Sequence, residues 1–435
     1  MMKWSWGVSA ACAVTLAGCN GTSPSVSNSN PSVTVPSSVV VSPSAANYQL
    51  SIFAQAPGKS AKPPVCDVLS PNCLTKPDSV VQLGTGASST IWIGYQDGVN
   101  ADGTITAPSG TSSLPVNSYC PSGSTCGYTQ VVQYDVNGNM LNTYNVPGHV
   151  DGIVVFNAHT IWVTSDEDAN PVLTAIDSVA KTVTSYSWDG MMNNQTYPST
   201  GNMPNNGGGL DDMQLINGQV FVSGSGPTVD NSGVYDAAAV YTMALNSDGK
   251  TFHLNPVLQD NLQIPVANII NASAVANVNA VPSTGNIMLG DPDVLTPGVI
   301  DNNVPKQNPG GLGDVDSSAV DSNGNLVLDS QNDAELVFVS NPGQSNQAVK
   351  ELFLRFNGQP WPVDDTRWAP ASSQFMLVPD KGTGLVYKIT VPNGFPAGTA
   401  YSVGEGYVHQ LNTSTGSLTP LISGLTKPEG LIFVQ

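Results

Sequence analysis

Acidic residues recur in this sequence at the points where short β-strands are predicted to begin. The positions are Asp151, Asp212, Asn279, Asp316, Asp365 and Glu429, with Asp211 and Asp364 directly ahead of two of them. Ca²⁺ binds about six to eight oxygen ligands, and carboxylates are its usual protein ligands. If the strand starts converge, these residues predict a divalent cation site with Ca²⁺ as the cofactor. The alternative is that Asp and Asn stand there as turn and strand-start residues, for which both are well suited.

One histidine accompanies this set. His149 lies two residues before Asp151 and is a candidate general base at the same place. The chain has four histidines, and a histidine beside a turn is also a common structural residue. The sequence contains no G-x-S-x-G, H-E-x-x-H or phosphate-loop motif that would name a reaction.

The strands that carry these residues follow a repeated pattern. Its clearest copy is 316–340, where two apolar alternating runs flank Asn323-Gly324, a strong hairpin signal. Looser copies recur, about six in all and spaced roughly 35–75 residues apart, near or above the spacing of propeller blades. They lie at 83–95, 155–165, 215–224, 281–291 and 369–380.

This pattern predicts an all-β fold, a β-propeller of six blades, with five as the alternative. Only 10% of residues are charged, and there are 43 Gly and 33 Pro, which favours short strands and turns over helices. The fourth blade is the weak one, since only 277–281 and 286–290 read as its strands. Inner strands of a propeller run in one direction around a central channel, so acidic residues at their starts would surround one mouth of it.

The end of the chain is predicted to close the ring. Lys427–Gln435 reads as one more strand, and we expect it to complete the first blade, formed by segments within 79–146, and remove an open edge. The last blade is predicted from 365–369, 374–378, either 385–390 or 407–411, and 417–422. Loop insertions at 96–128, 189–209 and 291–313 would build a surface at the channel mouths.

The charge balance limits the partners. A formal net charge of −19, without clusters of Lys or Arg, argues against nucleic acid and against a folded domain that lies on an anionic membrane surface. A monomer is expected.

The first 18 residues have the features of a secretory signal: Lys3, a short apolar run and small residues before Cys19. Leu16-Ala17-Gly18-Cys19 resembles the lipobox of bacterial lipoproteins, which implies cleavage before Cys19 and acylation, such as palmitoylation, of that residue. Several acyl chains would anchor the protein stably. Asn20 in place of Asp favours the outer membrane, facing the periplasm or the cell surface. An ordinary secreted protein is the alternative.

The remaining chain divides simply. Residues 19–46 contain no charge and are rich in Ser, Pro and Asn, which predicts a disordered tether, and 47–435 form the propeller domain. The four cysteines beyond the leader form two close pairs, Cys66/Cys73 and Cys120/Cys126. Local disulfides are the natural pairing for an oxidising compartment, although three connectivities are possible.

The best repeat copy resembles an NHL repeat in Asp321, Asn323-Gly324-Asn325, Leu326 and Asp329. In its overall repeat pattern, the segment 79–435 is similar to the six-bladed propellers of the NHL and SMP-30 (gluconolactonase)/paraoxonase type. That resemblance implies a metal at the channel that polarises a lactone or ester. This chain departs from it, because it has Asp at most positions where that group has Asn.

Two functions follow as expectations. The preferred one is an envelope-anchored binding or scaffolding module whose channel mouth takes a protein, glycan or small-molecule ligand. The alternative is a divalent-metal-dependent lactonase or esterase, with His149 as its base. Whether the chain is an enzyme is left open by the sequence.

Overall fold

The computed structural model describes residues 33–56, 74–101, 103–105, 127–166, 171–192, 195–196, 210–224, 238–259, 262–272, 285–290, 312–331 and 333–435. Their regular structure is β-strand, with single-turn 3-10 helices at Pro43–Ala45, Gly86–Ser88 and Val266–Asn268. In these ranges no helix has the length and apolar character needed to cross a membrane. The all-β prediction is confirmed.

Fifteen strands lie in the first part of the chain. They are β1 (Val40–Val41), β2 (Gln49–Gln55), β3 (Pro77–Leu83), β4 (Thr90–Tyr95), β5 (Tyr128–Asp135), β6 (Met140–Pro147), β7 (Val150–Val155), β8 (Thr160–Ser165), β9 (Val172–Asp177), β10 (Thr182–Met192), β11 (Gln195–Thr196), β12 (Leu210–Ile216), β13 (Gln219–Gly224), β14 (Ala238–Leu245) and β15 (Thr251–Gln259).

A further fifteen follow. They are β16 (Gln263–Pro265), β17 (Asn286–Met288), β18 (Val315–Val320), β19 (Leu326–Ser330), β20 (Glu335–Ser340), β21 (Ala348–Phe353), β22 (Arg355–Phe356), β23 (Gln359–Pro360), β24 (Asp365–Trp368), β25 (Phe375–Asp380), β26 (Leu385–Thr390), β27 (Ala400–Gly404), β28 (Tyr407–Asn412), β29 (Ser417–Ser423) and β30 (Ile432–Val434).

The strands form antiparallel blades of four, and one nine-stranded sheet contains two of these blades, joined by the parallel pairing of β10 with β15. In order from the channel outward they are blade A (β3-β4-β5-β6), blade B (β7-β8-β9-β10), blade C (β12-β13-β14-β15), blade D (β18-β19-β20-β21), blade E (β24-β27-β28-β29) and blade F (β30-β25-β26-β2). The innermost strands contact one another in the order β3, β7, β12, β18 and β24, and β3 also contacts β25 and β30. This is a propeller arrangement. The short pair β16-β17 stands beside it, next to residues outside the described ranges, so the total number of blades stays a prediction.

The second strand of each blade explains the repeated apolar runs. β19 and β25 are buried along their whole length, and β4 is buried after its first residue. Such strands are covered on both faces by neighbouring blades, and therefore they read as continuous rather than alternating apolar segments. The Asn323-Gly324 hairpin is confirmed: Val320 pairs with Leu326, and Gly324 has a positive φ of 83°.

The C-terminal strand closes a different blade from the one predicted. β30 pairs with β25 in blade F and not with the strands of blade A. The outer strand of blade F is β2, from the N-terminal part of the chain. The prediction that Lys427–Gln435 completes the first blade is therefore wrong. The C-terminal strand is the inner strand of blade F, and the N-terminal strand β2 is the outer strand of the same blade.

The predicted last blade is in fact two interleaved blades. β24 pairs with β27, while the intervening β25-β26 hairpin belongs to blade F. Both segments proposed as its third strand, 385–390 and 407–411, are strands, but in different blades. The predicted tether also extends too far: β1 pairs with β29, and Val39 and Ala45 are buried. In the weak fourth blade, β17 pairs with β16, and 277–281 lies outside the described residues.

Candidate functional site at the channel mouth

Polar side chains from two kinds of position meet at one mouth of the channel. Each inner strand is antiparallel to the second strand of its blade, so its first residues lie beside the last residues of that strand. The inner strands bring Asp78, Asp151 and Asp316 to this mouth, while Gln96, Gln331 and Lys381 directly follow β4, β19 and β25.

These residues surround a cavity of about 210 Å³. Its walls carry eight carboxyl groups and two ammonium groups. The lining residues are Asp78, Ser79, Gln96, Asp151, Asp211, Asp212, Asp314, Asp316, Ser317, Gln331, Asp364, Lys381, Lys427 and Glu429. The acidic ring deduced from the strand starts is therefore present as a cavity in the structure, with two lysines that the sequence pattern did not predict.

Both ammonium groups lie on Glu429. Lys381 Nζ is 2.7 Å from Glu429 Oε2 and 3.8 Å from Asp78 Oδ2, and Lys427 Nζ is 2.5 Å from Glu429 Oε1. Burial by itself would raise the pKa of Glu429, but the two ammonium groups outweigh it and hold the pKa below its ordinary value. Burial would lower the pKa of Lys381, and here Asp78 and Glu429 outweigh it and raise the pKa. Burial, and then the charge of Glu429, raise the pKa of Asp78 well above its ordinary value although Lys381 opposes that shift, so the ion pairs here are centred on Glu429.

A pair of carboxyl groups, Asp316 and Asp364, lies elsewhere on the wall. Burial, and then the negative charge of Asp316, raise the pKa of Asp364 well above its ordinary value. The two side chains are hydrogen-bonded to each other, which requires a proton on one of them. Gln331 Nε2 donates to Asp364 Oδ1 at 3.1 Å.

Gln96 donates a hydrogen bond to Asp151, and His149 lies beside Asp151 on the side away from the cavity. Gln96 Nε2 donates to Asp78 and, at 3.3 Å, to Asp151 Oδ1. His149 Nδ1 lies 2.7 Å from the carbonyl of Val99, which can only accept, so Nδ1 carries a proton and Nε2 faces Asp151 Oδ1 at 3.4 Å.

His149 itself is buried and does not border the cavity. Burial, and then the nearby Lys381 and Lys76, lower the pKa of His149 to about 4, so the imidazole is neutral at pH 7. The predicted general base therefore reaches the cavity only through Asp151.

Asp365 faces a smaller adjoining cavity together with Arg367 and Asp212. The Arg367 guanidinium lies 3.1 Å from Asp365 Oδ1 and 3.3 Å from Asp212 Oδ2, and it also donates to the carbonyl of Ser318. Burial raises the pKa of Asp365 to about 7, although Arg367 opposes that shift. Asp365 is thus an ion-pair partner of Arg367 deeper in the channel.

The fit of a hard cation can be tested on this donor set. Among the residues that the structure describes, no three His, Cys, Asp or Glu side chains are arranged to hold a metal ion. At Glu429 the carboxylate oxygens are already held by Lys381 and Lys427. The described donor set does not fit Ca²⁺ at this end of the cavity, and the predicted Ca²⁺ site stays a prediction for the remaining carboxylates.

The structure thus brings four of the predicted ligands to one cavity: Asp151, Asp212, Asp316 and Glu429. Asn279 lies outside the described residues, as do the lipidation site Cys19 and the predicted disulfide cysteines Cys66, Cys73, Cys120 and Cys126.

Sequence reasoning missed Asp78, Asp314, Gln96, Gln331, Lys381 and Lys427. A signal for Asp78 was present, because Lys76-Pro77-Asp78-Ser79 repeats the form of 427–430, Lys-Pro-Glu-Gly. Gln96, Gln331 and Lys381, which directly follow second strands, lie in no shared sequence motif.

Comparison with known proteins identifies no family. No family model matches the chain, and no curated protein matches it. Among solved structures, a protein provisionally assigned as a gluconolactonase is 12% identical, with a TM-score of 0.40 over 88% of this chain and 84% of its own. A streptogramin B lyase is 11% identical, with a TM-score of 0.36 over 87% and 74%. A virginiamycin B lyase from Staphylococcus aureus is 10% identical, with a TM-score of 0.29 over 79% and 99%.

Proposed function

We propose that the protein is a binding module and that the acidic channel mouth is its ligand site, for a small positively charged molecule. The observation that carries this proposal is the imbalance of the cavity wall, with eight carboxyl groups against two ammonium groups. Several like charges at one narrow mouth repel each other, and a cationic ligand relieves that repulsion. A cavity of about 210 Å³ accommodates a small molecule or one charged side chain of a peptide.

Titration calorimetry tests the proposal with three probes: propylammonium chloride, CaCl₂ and sodium butyrate. We expect saturable binding of the propylammonium cation and none of the butyrate anion. Asp316→Asn should weaken binding roughly tenfold or more, since a hydrogen bond to a charged group contributes about 1.5–3 kcal/mol.

Asp248→Asn is the matched control. Asp248 is an exposed turn residue that accepts the backbone N–H groups of Lys250 and Thr251, which an Asn side chain can also accept. Loss of binding in both variants, or no binding of any cation to the parent protein, would reject the mouth as the ligand site. Binding of CaCl₂ alone would favour the predicted metal site.

A hydrolase is the second candidate, and the observation that favours it is the buried, neutral His149 behind Asp151. There Asp151 would be the general base facing substrate, oriented by the N–H of Gln96, with the unprotonated Nε2 of His149 beside it. The test is hydrolysis of γ-lactones and aryl esters by the parent and by Asp151→Asn. Equal rates in the two proteins, or no turnover, would remove this candidate.

We also propose that Cys19 anchors the module to the bacterial envelope, as the lipobox-like Leu-Ala-Gly-Cys suggests. Cys19→Ser should move the full-length protein from the membrane pellet to the soluble periplasmic fraction. A variant that stays in the pellet would show that the anchor lies elsewhere.

A further inference from the structure

The outer part of blade E contains a buried histidine among three aromatic rings. His409, on β28, is 0% exposed, and neither of its ring nitrogens has a hydrogen-bond partner in the described part of the chain. Its ring is stacked on Tyr407 with the centroids 5.1 Å apart, and Phe356 lies edge-on at 5.0 Å. The Trp361 ring is 6.3 Å from His409, and its Nε1 also lacks a partner there. These four rings form what we call the aromatic cluster.

Two of the rings belong to a short hairpin that covers the histidine. β22 carries Phe356, and Trp361 directly follows β23. The two strands are joined by Asn357 and Gly358, whose φ angles of 53° and 80° are those of a two-residue hairpin turn. β22 pairs with β29 at a single position, the residues 355 and 417. The hairpin 355–361, which we call the flap, is therefore fixed to its blade by one strand pairing and by the packing of its rings against His409 and the core between blades D and E.

The neighbouring strands give His409 no counter-charge. Opposite it lie Ser402 on β27 and Pro420 on β29. Ser402 Oγ is hydrogen-bonded to Thr366 Oγ1 at 2.9 Å, and Thr366 donates to Asp329 at 2.8 Å. This row therefore ends in a carboxyl group that two hydroxyl side chains separate from the imidazole.

The flap and the β27–β28 hairpin carry the other titratable groups near the cluster, which are Arg355, Glu405 and Tyr407. Arg355 has the same sign of charge as an imidazolium, Glu405 is exposed, and Tyr407 presents the face of its ring. Burial alone lowers the pKa of His409 to about 4, with no contribution from any charged group that the structure describes. The imidazole is therefore neutral at pH 7, and the closed flap disfavours its protonation.

We propose that the flap is a pH-sensitive cover, which closes over the neutral imidazole of His409 and opens when that imidazole takes up a proton. In the open form, water hydrates the imidazolium, and the rings of Phe356, Trp361 and Tyr407 become exposed. Acid thus turns a closed seam between two blades into an aromatic surface beside a positive charge. This inference concerns the outer rim of blade E and does not depend on the ligand of the channel mouth.

The direction of the effect follows from the pKa of the imidazole in the two forms. In water the pKa of histidine is about 6.5, and in the closed form the pKa of His409 is about 4. The closed form therefore keeps its full stability above about pH 6.5 and loses it as the pH falls below that value. The ratio of open to closed flap rises by up to about tenfold per pH unit between about pH 6.5 and 4.

Hydrogen–deuterium exchange of the full chain, measured by mass spectrometry at pH 7 and pH 5, tests the proposal. After correction for the intrinsic pH dependence of exchange, the amides of 355–363 should exchange faster at pH 5, by up to roughly twentyfold. The hairpin around Asn323-Gly324 contains no histidine and is the internal control. Its corrected exchange rate should stay nearly the same at the two pH values.

His409→Phe keeps a ring in the cluster and cannot be protonated, so its flap should exchange at the same corrected rate at both pH values. His159→Phe is the matched control, because His159 is an exposed residue at the turn before β8, and the flap should respond to acid as in the parent. Phe356→Ala gives a second test that leaves His409 in place. With one covering ring removed, the flap should exchange faster already at pH 7 and gain less at pH 5.

The outcomes are distinct. Loss of the acid response in His409→Phe, with the His159 variant unchanged, is the expected result. An equal acid response in His409→Phe, or a flap exchange rate in the parent that does not change with pH, would overturn the proposal. Equally faster exchange in the control hairpin would show that acid loosens the blades as a whole, and this would overturn it too. None of these results bears on the proposed ligand of the channel mouth.

Discussion

Two pairs of buried carboxyl groups, one inside blade D and one between blades D and E, differ in whether they border a cavity. Glu335 and Glu351 lie on the adjacent strands β20 and β21, are 1% and 0% exposed, and their carboxyl groups interact electrostatically. Burial, and then the charge of Glu351, raise the pKa of Glu335 well above its ordinary value. The Gly290 N–H donates to Glu335 Oε1 at 3.1 Å and opposes that shift.

Asp316 and Asp364 share the same chemistry and differ in surroundings. Both pairs hold a proton because two buried carboxylates side by side cannot both ionise cheaply. The glutamate pair is packed inside the blade, whereas the aspartate pair borders the channel cavity. The glutamate pair is therefore enclosed by its own blade, whereas the aspartate pair is open to a ligand in the cavity. The same residue type is therefore structural in one place and a candidate for binding in the other.

The largest effect should come from truncating the two pairs in the same way. Glu335→Ala leaves a small void beside Glu351 and removes the acceptor of the Gly290 N–H, and should lower the free energy of unfolding by about 2–4 kcal/mol. Asp364→Ala opens onto the cavity, where water can replace the lost group, and should cost less than about 1 kcal/mol.

Urea unfolding of both variants under the same conditions gives the comparison. Equal losses of stability would show that the mouth pair is as much a part of the core as the glutamate pair. The distinction between the two pairs would then be wrong.

The next effect is the pH dependence of stability. Where burial raises the pKa of an acid, the folded state holds its proton at a pH where the unfolded state has lost it. That stabilisation is present below the ordinary pKa of about 4 and is lost as pH rises through the raised value. The pKa of Asp365 is about 7. The other carboxyl groups that contribute, with pKa values raised well above the ordinary value by burial, are Asp78, Asp97, Asp329, Glu335 and Asp364.

Two buried histidines act in the opposite direction in acid. Burial lowers the pKa of His149 and of His409 to about 4, so each contributes stability that is lost as pH falls below about 6.5. Above about pH 6.5 both are neutral in the folded and unfolded states, and the acids act alone.

We therefore expect the free energy of unfolding to fall between about pH 6.5 and 8, by up to about 1.4 kcal/mol per pH unit for each titrating group. Glu335→Gln and Asp364→Asn should each flatten the slope. A slope that rises with pH, or one that neither substitution changes, would contradict this assignment.

The smallest effect concerns the Lys381 ammonium group. Lys381→Gln removes the internal cation between Asp78 and Glu429, and the mouth should then accept a second positive charge. A diammonium probe, propane-1,3-diamine at neutral pH, should bind several-fold more tightly to this variant, while propylammonium changes less.

Lys427→Gln is the matched control, because its side chain is 62% exposed and such ion pairs contribute about 0–1 kcal/mol. We expect a change of less than about threefold. A larger gain in the Lys427 variant than in the Lys381 variant would show that net charge, rather than the place of Lys381, sets the preference.

The sequence by itself determined the strand class and part of the mouth. Apolar runs that flank turn signals, such as those around Asn323-Gly324, predict the strands, and the structure adds that β4, β19 and β25 are covered on both faces. Acidic residues at the starts of the inner strands predict a cluster of carboxylates at one mouth of the channel, since those strands run in one direction around it. Asp151, Asp212, Asp316 and Glu429 meet in the cavity for that reason.

Tertiary structure alone decided which strands pair across long separations and which side chains complete the wall. The short β30 has apolar neighbours in any blade, and only packing places it against β25 with β2 at the outer edge. Gln96, Gln331 and Lys381 share no sequence motif. Each directly follows the second strand of its blade, and the antiparallel pairing of that strand with the inner strand brings the residue to the cavity. Asp364 and Asp365 are sequence neighbours whose side chains diverge, one to the cavity and one to Arg367, since successive side chains along a strand point to opposite faces.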